Sequence, residues 1–131
     1  MLASSPMFNW RRPTNLGVRD GRLAPCRRTP NCVCSQADRA DREHYIAPLS
    51  GSLTDVLTAV QSMPRARVVQ SNASYLYAEF RSKLLGYVDD VEFFFDGKET
   101  QVRSASRLGR RDFGVNRARV EEIRRLIRQK P

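Results

Sequence analysis

The run YLYAEFRSKLLGYVDDVEFFFDGKETQVRSASR, Tyr75 to Arg107, reads as three strands joined by two short links. In Tyr75–Arg81 the residues alternate, with Leu76, Ala78 and Phe80 on one side and Tyr75, Tyr77, Glu79 and Arg81 on the other. Val88–Phe95 is rich in Val and Phe, residues that suit a pleated surface. Thr100–Arg107 sets Val102, Ser104 and Ser106 against Arg103, Ala105 and Arg107. Asp96-Gly97 marks a hairpin between the last two runs. A two-residue loop there pairs Asp90 with Arg103, and a four-residue loop pairs Glu92 with Arg103. Either register puts a carboxylate across from a guanidinium.

Working outward, Ala66–Ser71 is one more strand, and the short links make an antiparallel meander. Upstream, Leu53, Val56, Leu57 and Val60 form one helical stripe. Ser52 is its predicted N-cap with Asp55 three residues on, and Pro64 ends it near Met63. Downstream, Asn116 is the predicted N-cap of a helix over residues 117–129, with Val120, Ile123 and Ile127 as its apolar stripe. HYIAPL, His44–Leu49, reads as a short edge strand closed by Pro48. The expected fold is α+β: a four- to five-stranded antiparallel meander with two helices on one face. Residues 1–43 read as a long irregular arm, broken by Pro6, Pro13, Pro25 and Pro30, and residues 44–131 as one α+β domain. Phe8, Trp10, Leu16, Val18 and Leu23 are the arm's predicted anchors.

The chain has 131 residues, enough for one domain with a core. It carries 23 Lys and Arg against 14 Asp and Glu, a net charge of +9. The charge is uneven: residues 103–131 hold ten basic and three acidic residues, whereas residues 44–102 hold five and seven. A basic block attracts phosphates, nucleic acid or anionic surfaces, but a solvated Arg-rich helix is the simpler reading. No stretch has the length of apolar residues that a membrane helix needs. MLASSPMFNW lacks the pattern of a secretory signal, so the expected location is cytoplasmic. Three cysteines cannot staple a coreless scaffold.

Several segments resemble the domain-of-unknown-function 1499 family. They are RPTNLGVRDGRLAPC (Arg12–Cys26), PNCV (Pro30–Val33), SQAD (Ser35–Asp38), HYIAPL, YLYAEFRS (Tyr75–Ser82), VDDVEF (Val88–Phe93), VRSASRLG (Val102–Gly109) and DFGVNRARVEEIR (Asp112–Arg124). The resemblance implies no catalytic residue and no cofactor. The chain departs from the family pattern at Cys34, where a Ser usually follows the PNCV run. Its basic Arg27 and Arg28 also stand where small or proline residues are usual.

Three constellations can carry chemistry. Cys26, Cys32 and Cys34 with His44 supply the ligand types of a zinc site, but not its usual spacing. The alternatives are reduced thiols, a Cys26–Cys32 disulfide, or a redox thiol activated by Arg27 and Arg28. The second constellation is the sheet face that brings Glu79, Asp90, Glu92, Arg103 and Arg107 together with Tyr75 and Tyr77. There the two arginines can hold a carboxylate or phosphate, and a carboxylate can accept a proton. A structural ion-pair network is the competing reading. The third is the turn before the last helix, where Asp112, Asn116 and Arg117 join backbone N–H groups as a further anion site, or simply cap the helix.

His44 shows no acid–base partner. GxGxxG, Walker A and HExxH motifs are all missing. The expected function is therefore binding of a small anion at the polar sheet face, with no cofactor. A protein-interaction or nucleic-acid-contacting module using the Arg-rich C-terminal helix is the second reading. Nucleic acid is the less favoured partner, because Glu79 sits beside the tyrosines that would stack on bases. An enzyme with a Glu or Asp base on the same face is the third.

Overall fold

The structure is a computed structural model, which describes residues 11–129. Phe8 and Trp10 lie outside the described residues. The elements are β1 (Cys32–Cys34), α1 (Leu53–Gln61), β2 (Ala66–Ser71), β3 (Tyr75–Arg81), β4 (Val88–Phe95), β5 (Thr100–Ser106) and α2 (Val115–Arg128). They form one antiparallel sheet in the order β1-β5-β4-β3-β2 with two helices, the expected α+β architecture.

The register is that of a four-residue β4–β5 loop: Phe95 faces Thr100 and Glu92 faces Arg103. The reason lies in Asp96, whose Oδ1 accepts the N–H groups of Lys98 and Glu99, each at 2.9 Å. An Asp side chain that binds the backbone two and three residues on opens the loop beyond a two-residue turn. Gly97 supplies the left-handed φ of +96° that the loop requires.

The sheet takes its fifth strand from the stretch expected to be irregular. Cys32 pairs with Ala105 and Cys34 with Arg103. HYIAPL is not a strand. It makes two isolated bridges, Tyr45 with Cys34 and Leu49 with Thr100, and Pro48 between them has no N–H for a ladder.

One sheet face carries the core. Leu76, Ala78, Phe80, Val91, Phe93 and Val102 pack against Val56 and Val60 of α1 and Val120 and Ile123 of α2. Ser52 caps α1 as predicted, its Oγ accepting the Asp55 N–H at 3.1 Å. The helix ends at Gln61, before Met63, with Ser62 as its C-cap.

Asn116 is not the N-cap of α2. The helix starts earlier, at Val115, after Gly114 at φ +79°. Asp112 does the capping: its carboxylate accepts the N–H of Gly114 at 2.9 Å and of Asn116 at 3.2 Å. Asn116 is buried instead and ties three elements together. Its Nδ2 donates to Ser106 Oγ at 2.8 Å and to the Asn31 carbonyl at 3.2 Å, and its Oδ1 accepts from Ser104 Oγ at 2.7 Å. Among the described residues no helix is long and apolar enough to cross a membrane.

Candidate functional site

The opposite sheet face is polar, and most of it is covered. Residues 12–25 lie over it, with Leu16, Val18 and Leu23 packed around Tyr75 and Tyr77. Strand alternation places Glu79, Asp90, Glu92, Arg103 and Arg107 on this face, and the register makes them neighbours. Glu79, Asp90, Glu92 and Arg103 are all buried.

Two clusters share the face. In the first, Arg107 Nη2 reaches Asp90 Oδ1 at 2.7 Å and Glu79 Oε2 at 2.9 Å, while its Nε donates to Asp90 Oδ2 at 3.1 Å. The Tyr77 hydroxyl donates to Asp90 Oδ1 at 2.5 Å. Arg12 closes the cluster from the arm, its Nη2 donating to Glu79 Oε2 at 2.8 Å. Burial pushes the Glu79 carboxyl up, but Arg12 and Arg107 more than reverse this and hold it below the usual carboxylate range. The phenols of Tyr75 and Tyr77 are pushed well up, first by burial and then by their carboxylate neighbours.

The second cluster is looser. Glu92 Oε2 accepts the Tyr75 hydroxyl at 2.5 Å and the Gly17 N–H at 2.6 Å. Its Oε1 lies 4.0 Å from Arg103 Nη1, too far for a hydrogen bond. Among the described residues Arg103 Nη2 reaches only the Pro25 carbonyl, at 3.4 Å. Glu92 Oε1 and Arg103 Nε have no hydrogen-bond partner among the described residues. Burial raises the Glu92 carboxyl above its ordinary range despite Tyr75 and Gly17. Beside Arg103 opens a cavity of about 90 Å³, lined also by Arg27, Asn31, Asp90, Ser106 and Arg107.

The third predicted group does not join this site. Asn116 and Asp112 bond from the helix side of β5, through Ser104 and Ser106, so the sheet separates them from Arg103 and Arg107. Arg117 donates to the carbonyls of Arg42 and Glu43.

The thiols also part company. Cys26 and Cys32 form a disulfide that closes the loop holding Arg27, Thr29 and Asn31. Their sulfurs are then no longer thiolate ligands, and among the described residues no cluster of metal-ligating side chains is present. Cys34 is free and buried, and burial pushes its thiol up, the opposite of an activated thiolate. His44 does have a partner, three residues back: Nδ1 lies 2.8 Å from Asp41 Oδ2, and Nε2 lies 2.9 Å from the Thr29 carbonyl.

Most arginines of α2 hold the chain to itself. Arg119 pairs with Asp89 at 2.7 Å and stacks on Phe80, and Arg124 donates to the Ala47 and Pro48 carbonyls, each at 2.7 Å. Sequence reasoning missed Arg12, Arg27 and Arg119. For Arg119 a signal existed: Asp89 falls on the core side of β4, next to Val91 and Phe93, where a carboxylate needs a cation. For Arg12 no local signal exists, because its partner Glu79 is 67 residues away.

A family model described as protein of unknown function (DUF1499) matches residues 22–127. No curated protein matches the chain, and neither does any solved structure. The matched span includes all five strands and everything of the polar face except Arg12 and Gly17. The chain belongs to the family described as protein of unknown function, DUF1499.

Proposed function

We propose that the protein binds a small anion, a carboxylate or an oxyanion, in the cavity beside Arg103. One observation carries the reading. Arg103 is nine-tenths buried, its Nε has no hydrogen-bond partner among the described residues, and its other contacts are long. A buried guanidinium is costly unless its donors are met. Of the carboxylates beside it, Asp90 is committed to Arg107 and Tyr77, and Glu92 stands off at 4.0 Å. An anion in the cavity meets Arg103 on one side and Arg27, carried by the disulfide loop, on the other. The volume of about 90 Å³ suits an anion of a few heavy atoms. The reading assigns no catalytic step, since Glu92, the carboxylate raised by burial, does not line this cavity.

Titration calorimetry with inorganic phosphate and with acetate at low ionic strength tests this. Saturable binding is expected to at least one of them. Arg27 is exposed, so Arg27→Ala leaves the unfolding midpoint unchanged while weakening binding roughly tenfold, the value of one charge-assisted hydrogen bond. No saturable heat with either anion, or full affinity in Arg27→Ala, overturns the assignment. The compartment is tested on the same loop. A disulfide persists where the surroundings are oxidising, so a cytoplasmic location predicts three free thiols in protein extracted under thiol-blocking conditions, and a disulfide found there points to an oxidising compartment.

A further inference from the structure

Every exposed large apolar side chain among the described residues lies at one end of the sheet. Leu84, Leu85 and Tyr87 belong to the β3–β4 connection, and Leu108, Phe113 and Val115 to the β5–α2 connection and the first residue of α2. The Arg107 N–H donates to the Val88 carbonyl at 3.0 Å, which sets the two connections side by side, and the Ser82 N–H donates to the Tyr87 carbonyl at 2.8 Å within the first. Between them lies an apolar hollow of about 510 Å³, walled by Tyr87, Val88, Leu108, Phe113 and Val115.

Phe113, on the wall of this hollow, is 94% exposed, and Leu84 in the other connection is 89% exposed. Phe113 also sits at φ +53°, a conformation a bulky residue rarely adopts. Exposure and backbone both cost free energy. The same two connections carry exposed Arg110, Arg111 and Lys83, with Arg81 at the end of β3. The acidic residues there are committed, Asp89 to Arg119 and Asp112 to the α2 backbone.

We infer that this end of the sheet docks on an anionic phospholipid surface. Leu84 and Phe113 enter the interface, and Arg81, Lys83, Arg110 and Arg111 meet the headgroups. Exposed apolar tips ringed by cations match a bilayer, which is apolar inside and negatively charged at its surface.

Flotation of the full chain with vesicles tests this. Binding is expected to phosphatidylcholine vesicles containing phosphatidylglycerol and to be weak on phosphatidylcholine alone. Leu84→Ser with Phe113→Ser is expected to cut binding about tenfold, as two apolar side chains no longer leave water. Arg110→Gln is expected to cut it about fivefold, the share of one cation near an anionic surface. Neither set touches the core, so the unfolding midpoint stays put. Equal binding to both vesicle types, no loss in the Leu84 and Phe113 variant, or no binding at all overturns the inference. A concentration-dependent dimer broken by Phe113→Ser also overturns it and assigns the patch to a second copy.

Discussion

The two faces of the sheet are both buried, but by different means. On the helix side, Leu76, Phe80, Val91, Phe93 and Val102 meet only apolar neighbours of α1 and α2, apart from the small set around Asn116 and Arg119. On the arm side, Tyr75, Tyr77, Glu79, Asp90, Glu92, Arg103 and Arg107 are covered by residues 12–25, and each needs a named partner. The first face is held by area removed from water, which is non-directional. The second is held by pairing, and its net worth is small because desolvation offsets most of the attraction. A volume change therefore damages one face, and a lost partner damages the other.

The largest effect is expected on the apolar face. Phe93 is fully buried, so Phe93→Ala should lower stability by about 4 kcal/mol in a urea titration, with most of the loss from the cavity left behind. Phe93→Leu should cost much less. Next comes Arg107→Met, which preserves much of the side chain's volume but leaves Asp90 and Glu79 buried without their shared cation. A loss of about 3 kcal/mol is expected. Adding Asp90→Asn should cost less than its effect alone, since the two sites are coupled. Additive losses would mean that the polar face is held by packing like the other.

The smallest effects are those of pH. Glu79 is held below its ordinary range in the fold, so its contribution is full above about pH 4.5 and disappears as pH falls through its lowered value. Glu79→Gln should flatten that acid limb. His44 runs the other way. Burial lowers it, but the Thr29 carbonyl and Asp41 outweigh burial and raise it. Its contribution is present below about pH 6.5 and lost as pH rises through the raised value. The slope should vanish in His44→Gln, followed as the urea midpoint between about pH 6 and pH 9.

How far the sequence carried the fold depended on distance along the chain. The β3–β5 meander was legible because alternation and the Asp96-Gly97 signal are local. Between the two registers, Asp96 decided by binding its own backbone, a detail of side-chain geometry rather than of residue type. β1 was not legible: three residues carry no periodicity, and their partners on β5 are some 70 residues further on. Asn116 misled because Asn is a good cap anywhere, and its real partners, Ser104, Ser106 and Asn31, come from other elements. At the site, the residues of one face were found together and Leu16, Val18 and Leu23 were found as anchors of the arm, whereas the arm's polar contacts to that face were not. Arg12 and Gly17 look like ordinary loop residues until Glu79 and Glu92 are opposite them.

The arm's cover has a consequence for how the chain is made. Residues 12–25 leave the ribosome before the strands they cover, and their bonds span 67 residues for Arg12, 75 for Gly17 and 78 for Pro25. Contacts this far apart close late. Until β5 has been synthesised and paired, the carboxylates of β3 and β4 stay hydrated, which keeps that side of a nascent sheet from sticking to others. The arm is therefore expected to dock after the strands it covers have paired, expelling water from that face as it does so.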